Sequence, residues 1–154
     1  MAMTLGELAE QLTTGGLRHH VDAEEQAIRV VFVTRCYVNP RGERLAILRL
    51  EATDGGTSFR VTLPRAFAAG SAVASTCLAL CEAVMDVPLA RIEHDSVSGT
   101  LQLTAEMPVE DGVLTARQVF ALLDAVVEAA EAGEIALRGS DGDTSAAARG
   151  REAA

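Results

Sequence analysis

The first apolar positions recur at helical spacing, with Leu5, Leu8 and Leu12 forming one stripe. Thr4 and Glu7 have the Thr-x-x-Glu spacing of a capping box, and Met3 and Leu8 stand where a hydrophobic staple would span it. Gly15 and Gly16 close this helix, because glycine accepts the left-handed backbone that ends one. Residues 19–26 are polar and read as a connection. Over 27–38, 43–52 and 57–63 the chain turns rich in β-branched or alternating residues, with turns at Asn39-Pro40-Arg41-Gly42 and Asp54-Gly55-Gly56, which predicts a meander of antiparallel strands. In the third segment Phe59, Val61 and Leu63 alternate with Ser58, Arg60 and Thr62, the mark of one buried and one exposed face. Pro64 is expected to end it.

Helical spacing returns at Val73, Cys77, Leu80, Cys81 and Val84, which predicts a central helix through Met85. A second hairpin, 90–95 and 100–107, folds around Ser96-Val97-Ser98-Gly99, and an acidic loop follows. Thr115 and Gln118 form another capping box with Leu114 and Val119 as staple, opening a last helix with Leu122, Leu123, Val126 and Ala130 on one side. From Gly139 no large apolar side chain remains, so 1–138 is expected as one domain and 139–154 as a flexible tail. The order α-β-β-β-α-β-β-α predicts an α+β fold with a five-stranded, mainly antiparallel sheet. A doubly wound parallel fold is disfavoured, since it needs strands and helices to alternate one for one.

Composition narrows the function classes. The 154 residues suffice for one domain with its own core, and the 49% of hydrophobic residues include no Trp, one Tyr and four Phe, so that core is aliphatic. No apolar run approaches the ~20 residues of a membrane span, and no basic region precedes an apolar stretch near Met1, so the cytoplasm is the expected compartment. Three cysteines, Cys36, Cys77 and Cys81, suit a reducing compartment and free thiols. A net charge of −9 repels phosphate backbones and argues against nucleic acid. The charge is uneven: residues 18–65 hold eight Arg against six carboxylates, whereas 66–138 hold three Arg against eleven.

With the element order in hand, four stretches carry a family likeness. They are Tyr37-Val-Asn-Pro-Arg-Gly-Glu-Arg-Leu, Thr76-Cys-Leu-Ala-Leu-Cys-Glu-Ala-Val, Gly99-Thr-Leu-Gln-Leu-Thr-Ala-Glu and Leu114-Thr-Ala-Arg-Gln. Together they resemble the YbjN-like family, which shares its fold with the bacterial class I type III secretion chaperones (CesT-like). The likeness spans roughly residues 4 to 135 and implies a type III secretion chaperone-like fold. It also implies a small peptide-binding or regulatory protein, commonly a homodimer, with no cofactor and no catalytic residues.

Residue chemistry agrees in naming no reaction. Cys77 and Cys81 are four apart on an apolar stripe and are expected in the core; their spacing is not Cys-x-x-Cys, and no second pair completes a zinc site. His19 and His20 are adjacent in an extended segment and point to opposite sides, so they do not converge on a metal. His94 lies between Glu93 and Asp95 with no nucleophile in a recognisable setting, and no serine has the Gly-x-Ser-x-Gly context. The stronger clue is a pattern. The first strand is apolar on both faces, with Ile28, Val30, Phe32 and Cys36 on one and Val31, Val33 and Tyr37 on the other. The second repeats this, with Leu45 and Ile47 opposite Ala46, Leu48 and Leu50. Something must cover the second face: one of the chain's own helices, a partner subunit or a client peptide. The expected protein-binding residues are therefore Leu5, Leu8 and Leu12 of the first helix, Val31, Val33 and Tyr37 of the doubly apolar strand, and Arg35, Arg49 and Arg60 at its rim.

Overall fold

A computed structural model describes residues 3–109 and 114–151, with side chains described as far as Gly139. The capping box forms as its spacing predicts. Thr4 Oγ1 accepts the Glu7 N–H at 3.3 Å, and Glu7 Oε2 accepts the Thr4 N–H at 2.8 Å, which satisfies two donors the helix end would leave open. Helix α1 (Leu5–Thr14) buries Leu8 and Leu12. A Cβ on Gly15, just after it, would overlap the Phe120 ring, so the ring from α3 packs directly on this end of α1.

Six strands follow: β1 (His19–Asp22), β2 (Ala27–Val33), β3 (Leu45–Thr53), β4 (Ser58–Ala68), β5 (Ala90–Asp95) and β6 (Thr100–Pro108). Each neighbouring pair is antiparallel, in the order β1-β2-β3-β4-β6-β5. Helix α2 (Val73–Val84) links β4 to β5, and α3 (Ala116–Arg151) follows β6. One core joins all three helices to one face of the sheet, through Leu8 and Leu12, Leu80 and Val84, and Leu122 and Val126 against Ile28, Leu48, Val61 and Leu103. The fold is therefore α+β in two layers, helices on one side and an open sheet face on the other.

The sheet departs from expectation in three places. It has six strands rather than five, because 19–22 pairs with β2 in the register His19↔Val30 to Asp22↔Ala27. Its turn has Asp22 Oδ1 accepting the Glu25 N–H at 3.1 Å and Gln26 at φ 51. Strand β2 stops at Val33, not 38, because the Glu131 carboxylate on α3 accepts the N–H groups of Arg35, Cys36 and Tyr37. Those donors have left the ladder. Strand β4 runs through Pro64: Leu63 faces Leu103 and Phe67 faces Leu101, so a bulge absorbs the residue that cannot donate.

The second capping box also forms, with the Thr115 N–H donated to Gln118 Oε1 at 2.9 Å. Helical backbone continues from 139, where the tail is expected, to Arg151. The acidic loop and the last three residues of that tail fall at 110–113 and 152–154, outside the described residues. Among the described residues no helix is long and apolar enough to cross a membrane.

Candidate functional site

Period two along each strand assigns the residues of the open face. Register places Arg29 opposite Arg49, Val31 opposite Ile47 and Val33 opposite Leu45 across β2 and β3. Across β3, β4 and β6 it places Glu51 opposite Arg60, Arg60 opposite Glu106, and Thr62 opposite Thr104. The face divides into two unlike halves.

On β4, β6 and β5 the outward charged side chains pair with one another, although Arg60 Nε is buried without a partner of its own. Glu106 accepts from Ser58 Oγ at 2.9 Å, Arg60 Nη2 at 3.1 Å and Arg91 Nη2 at 2.8 Å. Arg91 Nε reaches Glu93 Oε1 at 2.9 Å and Thr104 Oγ1 at 3.1 Å, and Gln102 donates to Glu93 at 2.8 Å. This lattice lies over Thr62 and Thr104, which are buried although they belong to the open face. The Ser58 hydroxyl, against some cost of burial and with the Arg60 and Arg91 guanidiniums, holds the Glu106 carboxyl down to about 2. Burial would raise Glu93, but Gln102, Arg91 and Thr104 outweigh it and hold it below the ordinary carboxylate range.

Where Val31 and Val33 of β2 pair with Ile47 and Leu45 of β3, the outward side chains are apolar. Val33 is 84% exposed, Val31 50% and Ile47 37%, and none of the three helices lies over them, since all three join the core on the opposite face. Arg29 and Arg49 border this strip and share the Glu25 carboxylate, at 3.0 Å and 3.7 Å.

No family model and no curated protein matches the chain. Among solved structures, it is similar to the crystal structure of YbjN from E. coli, a protein provisionally described as a transcription regulator. The two superpose with a TM-score of 0.58 at 15% sequence identity, over 88% of this chain and 93% of that one. The chain has a YbjN-like fold. Identity this low carries the architecture alone, so any site rests on the residues of this chain.

Within that YbjN-like frame, the nine expected binding residues separate. Val31, Val33 and Arg49 come together on the bare half, and Arg60 lies further along the same face inside the ionic lattice. Leu8 and Leu12 are core residues with 1% and 0% exposure, and Leu5 packs partly buried beside them. Their stripe is consumed in holding α1 to the sheet, so Leu8 and Leu12 leave the candidate surface. Tyr37 leaves it too: it is fully buried, donates to the Ala66 carbonyl at 3.1 Å and meets Phe67 edge-on at 5.8 Å. With β2 ending at Val33, Tyr37 no longer follows the strand alternation that placed it outward. Arg35 is exposed in the loop held by Glu131, away from the strip.

Leu45 and Ile47 complete the bare strip, and only the register shows that they meet Val33 and Val31. The pairings of Glu106 with Arg60 and Arg91 join positions far apart in the chain, and no local signal announces them.

The thiols and imidazoles gather no chemistry. Cys77 is half-buried, but Cys81, expected in the core, is exposed because α2 turns that side outward. Leu78 at 61% and Met85 at 78% exposure share its stripe. Among the described residues no group of three or more His, Cys, Asp or Glu stands where it could hold a metal.

Proposed function

We propose that this chain is a non-enzymatic protein-binding domain, a chaperone-like or regulatory adaptor that receives a client protein or peptide on the bare half of its open sheet face. The observation that carries this is the exposure of Val31, Val33 and Ile47 as one strip on paired strands, uncovered by any of the chain's helices. Contiguous apolar surface of this kind marks interaction sites, and covering it gains about 25 cal/mol per Å². YbjN's provisional description suits the regulatory form of the reading. The net charge of −9 favours a protein over a DNA backbone as the partner, and the reading places the chain in the cytoplasm. The reading involves no cofactor and no covalent step.

The test is in-cell cross-linking with the chain carrying Val31→Asp and Val33→Asp. Loss of the cross-linked partners with an unchanged melting temperature is the expected outcome. The same partners recovered at the same level would overturn the reading.

A second surface favours self-association. Ala74, Leu78, Cys81 and Met85 are all exposed and fall on one side of α2 by helical spacing, and Glu82 is the sole charge in that helix. An apolar stripe along a helix is normally covered by another surface. A two-fold pairing of α2 with its copy would cover this stripe in a homodimer. Light scattering at micromolar concentration should report a dimer that Met85→Glu converts to monomer; a monomeric parent chain would count against it.

A further inference from the structure

The surplus of arginine in residues 18–65 has a destination. Beyond Arg49↔Thr62 the ladder between β3 and β4 stops, and β4 enters its bulge at Pro64. A groove of about 540 Å³ opens there on the sheet's open face. Arg29, Arg41, Arg49 and Arg65 line it against one carboxylate, Glu25. Carboxylates offset Arg29 and Arg49, so the positive charge of the groove comes from Arg41 and Arg65, on a chain whose net charge is −9.

Two of the four arginines are already engaged, since Arg29 pairs with Asp22 at 3.5 Å and Glu25 at 3.0 Å, and Arg49 with Glu25 at 3.7 Å and Glu51 at 3.2 Å. The other two are not. Among the described residues the side chains of Arg41 and Arg65 make no hydrogen bond or ion pair. They arrive from different parts of the chain, Arg41 from the turn before β3 and Arg65 from the β4 bulge. Arg65 has φ 51, a left-handed backbone that a non-glycine residue rarely adopts and that the bulge imposes. Pro40 and Pro64 stiffen the two walls, and Ile47 belongs both to the groove and to the bare strip with Val31. The arginines and the apolar strip are therefore one continuous surface.

We infer that this groove binds an extended acidic peptide of the partner protein, with carboxylates pairing to Arg41 and Arg65 and apolar side chains lying on Ile47 and Val31. The inference rests on the protein-binding reading above and names the chemistry of its partner. Guanidinium groups bind carboxylates through paired, charge-assisted hydrogen bonds. Two uncommitted arginines on separate walls suit a ligand with more than one acid. The apolar strip running out of the groove suits a ligand that continues as a chain, and an extended peptide presents alternate side chains to such a floor.

The test uses the full chain and fluorescent ten-residue peptides of alternating Glu and Val, alternating Gln and Val, and alternating Lys and Val. At low salt the Glu peptide should bind about tenfold tighter than the Gln peptide and weaken as salt rises. Arg41→Glu with Arg65→Glu should lose about tenfold for the Glu peptide and gain affinity for the Lys peptide, which a merely unfolded variant would not do. If the pair compromises folding, Arg41→Glu alone, on its exposed turn, should show the same reversal at smaller amplitude.

Equal binding of the Glu and Gln peptides, or a variant that melts normally and binds unchanged, would overturn the assignment. So would tighter binding of single-stranded DNA of similar length. Loss of partners in the Val31/Val33 variant without charge discrimination among peptides would sink the groove and leave the broader reading standing. Charge-specific peptide binding with partner capture untouched by that variant would do the reverse.

Discussion

The two halves of the open face share one sheet, one pleat and one lack of covering helices, yet they meet solvent in opposite ways. On β4, β6 and β5, Glu106, Arg91 and Glu93 lie over two buried threonines and satisfy one another. On β2 and β3, Val31, Val33 and Ile47 are exposed, with no described helix above them. A sheet face that is open in the working protein can be finished with paired charges, and half of this one is. The other half has the composition of a surface awaiting a cover, as the two inner faces of a sandwich would have. The contrast separates residues that serve the fold from residues free to serve a partner.

Removing the centre of the finished half should have the largest effect. Glu106→Ala would leave Arg60 and Arg91 confronting each other over Thr104, and should destabilise the fold by about 2–3 kcal/mol, read from urea unfolding. A loss under about 0.5 kcal/mol would show that the lattice is surface decoration. Acid should act on the same residue. Its folded pKa of about 2 lies below the ordinary 4.5, so its contribution is fully present above about 4.5 and is lost as pH falls toward 2. Glu93 and Glu131 are shifted in the same direction and add to the trend. The melting temperature should therefore fall on acidification through that window, and Glu106→Gln should flatten the fall.

A smaller effect is expected where the bare half meets α3. Burial would raise the Glu131 carboxyl, but the N–H groups of Arg35, Tyr37 and Cys36 outweigh it and hold it below its ordinary value. Glu131→Gln keeps one acceptor oxygen and loses the charge, so it should cost about 1–2 kcal/mol. Amide exchange at 35–37 should quicken in that variant while the β4–β6 ladder keeps its protection. Uniform acceleration across the sheet would mean that the two halves are not independent.

What the sequence made legible was local chemistry. Both capping boxes, the Asn39 turn and the 90–107 hairpin are signalled by residues within a few positions of one another, and all of them form. The doubly apolar hairpin was also readable, although composition could not say whether a helix covered it. Strand β1 was missed because His-His-Val-Asp is polar, as edge strands often are, and its turn has Gln26 at positive φ where a glycine would have given the signal. Pro64 misled for a related reason, since a bulge can absorb a missing N–H that a regular ladder cannot. Leu8, Leu12 and Tyr37 looked like binding residues because an apolar stripe reads the same whether a core or a partner covers it. The groove of arginines was legible only as a surplus of charge in residues 18–65; its assembly depends on where β4 leaves β3.

The smallest expected effect on folding is the most informative one. Val33 is 84% exposed and stands at the end of β2, so replacing it with Asp buries no charge in the free chain. The two β-branched methyls it removes contact little, and aspartate's poorer strand preference acts at a position where the ladder is already ending. Val33→Asp should therefore change unfolding free energy by less than about 0.5 kcal/mol, as exposed substitutions usually do. In the bound state the same change puts a carboxylate against an apolar partner surface, and truncated or charged residues at the centre of such contacts commonly cost about 2 kcal/mol or more of binding. The comparison of the two halves thus reduces to a pair of numbers, a large loss of stability at Glu106 with partner capture retained and a negligible one at Val33 with capture lost. If Val33→Asp unfolds the chain instead, that side chain is covered in the folded protein, and the bare half is bare no longer.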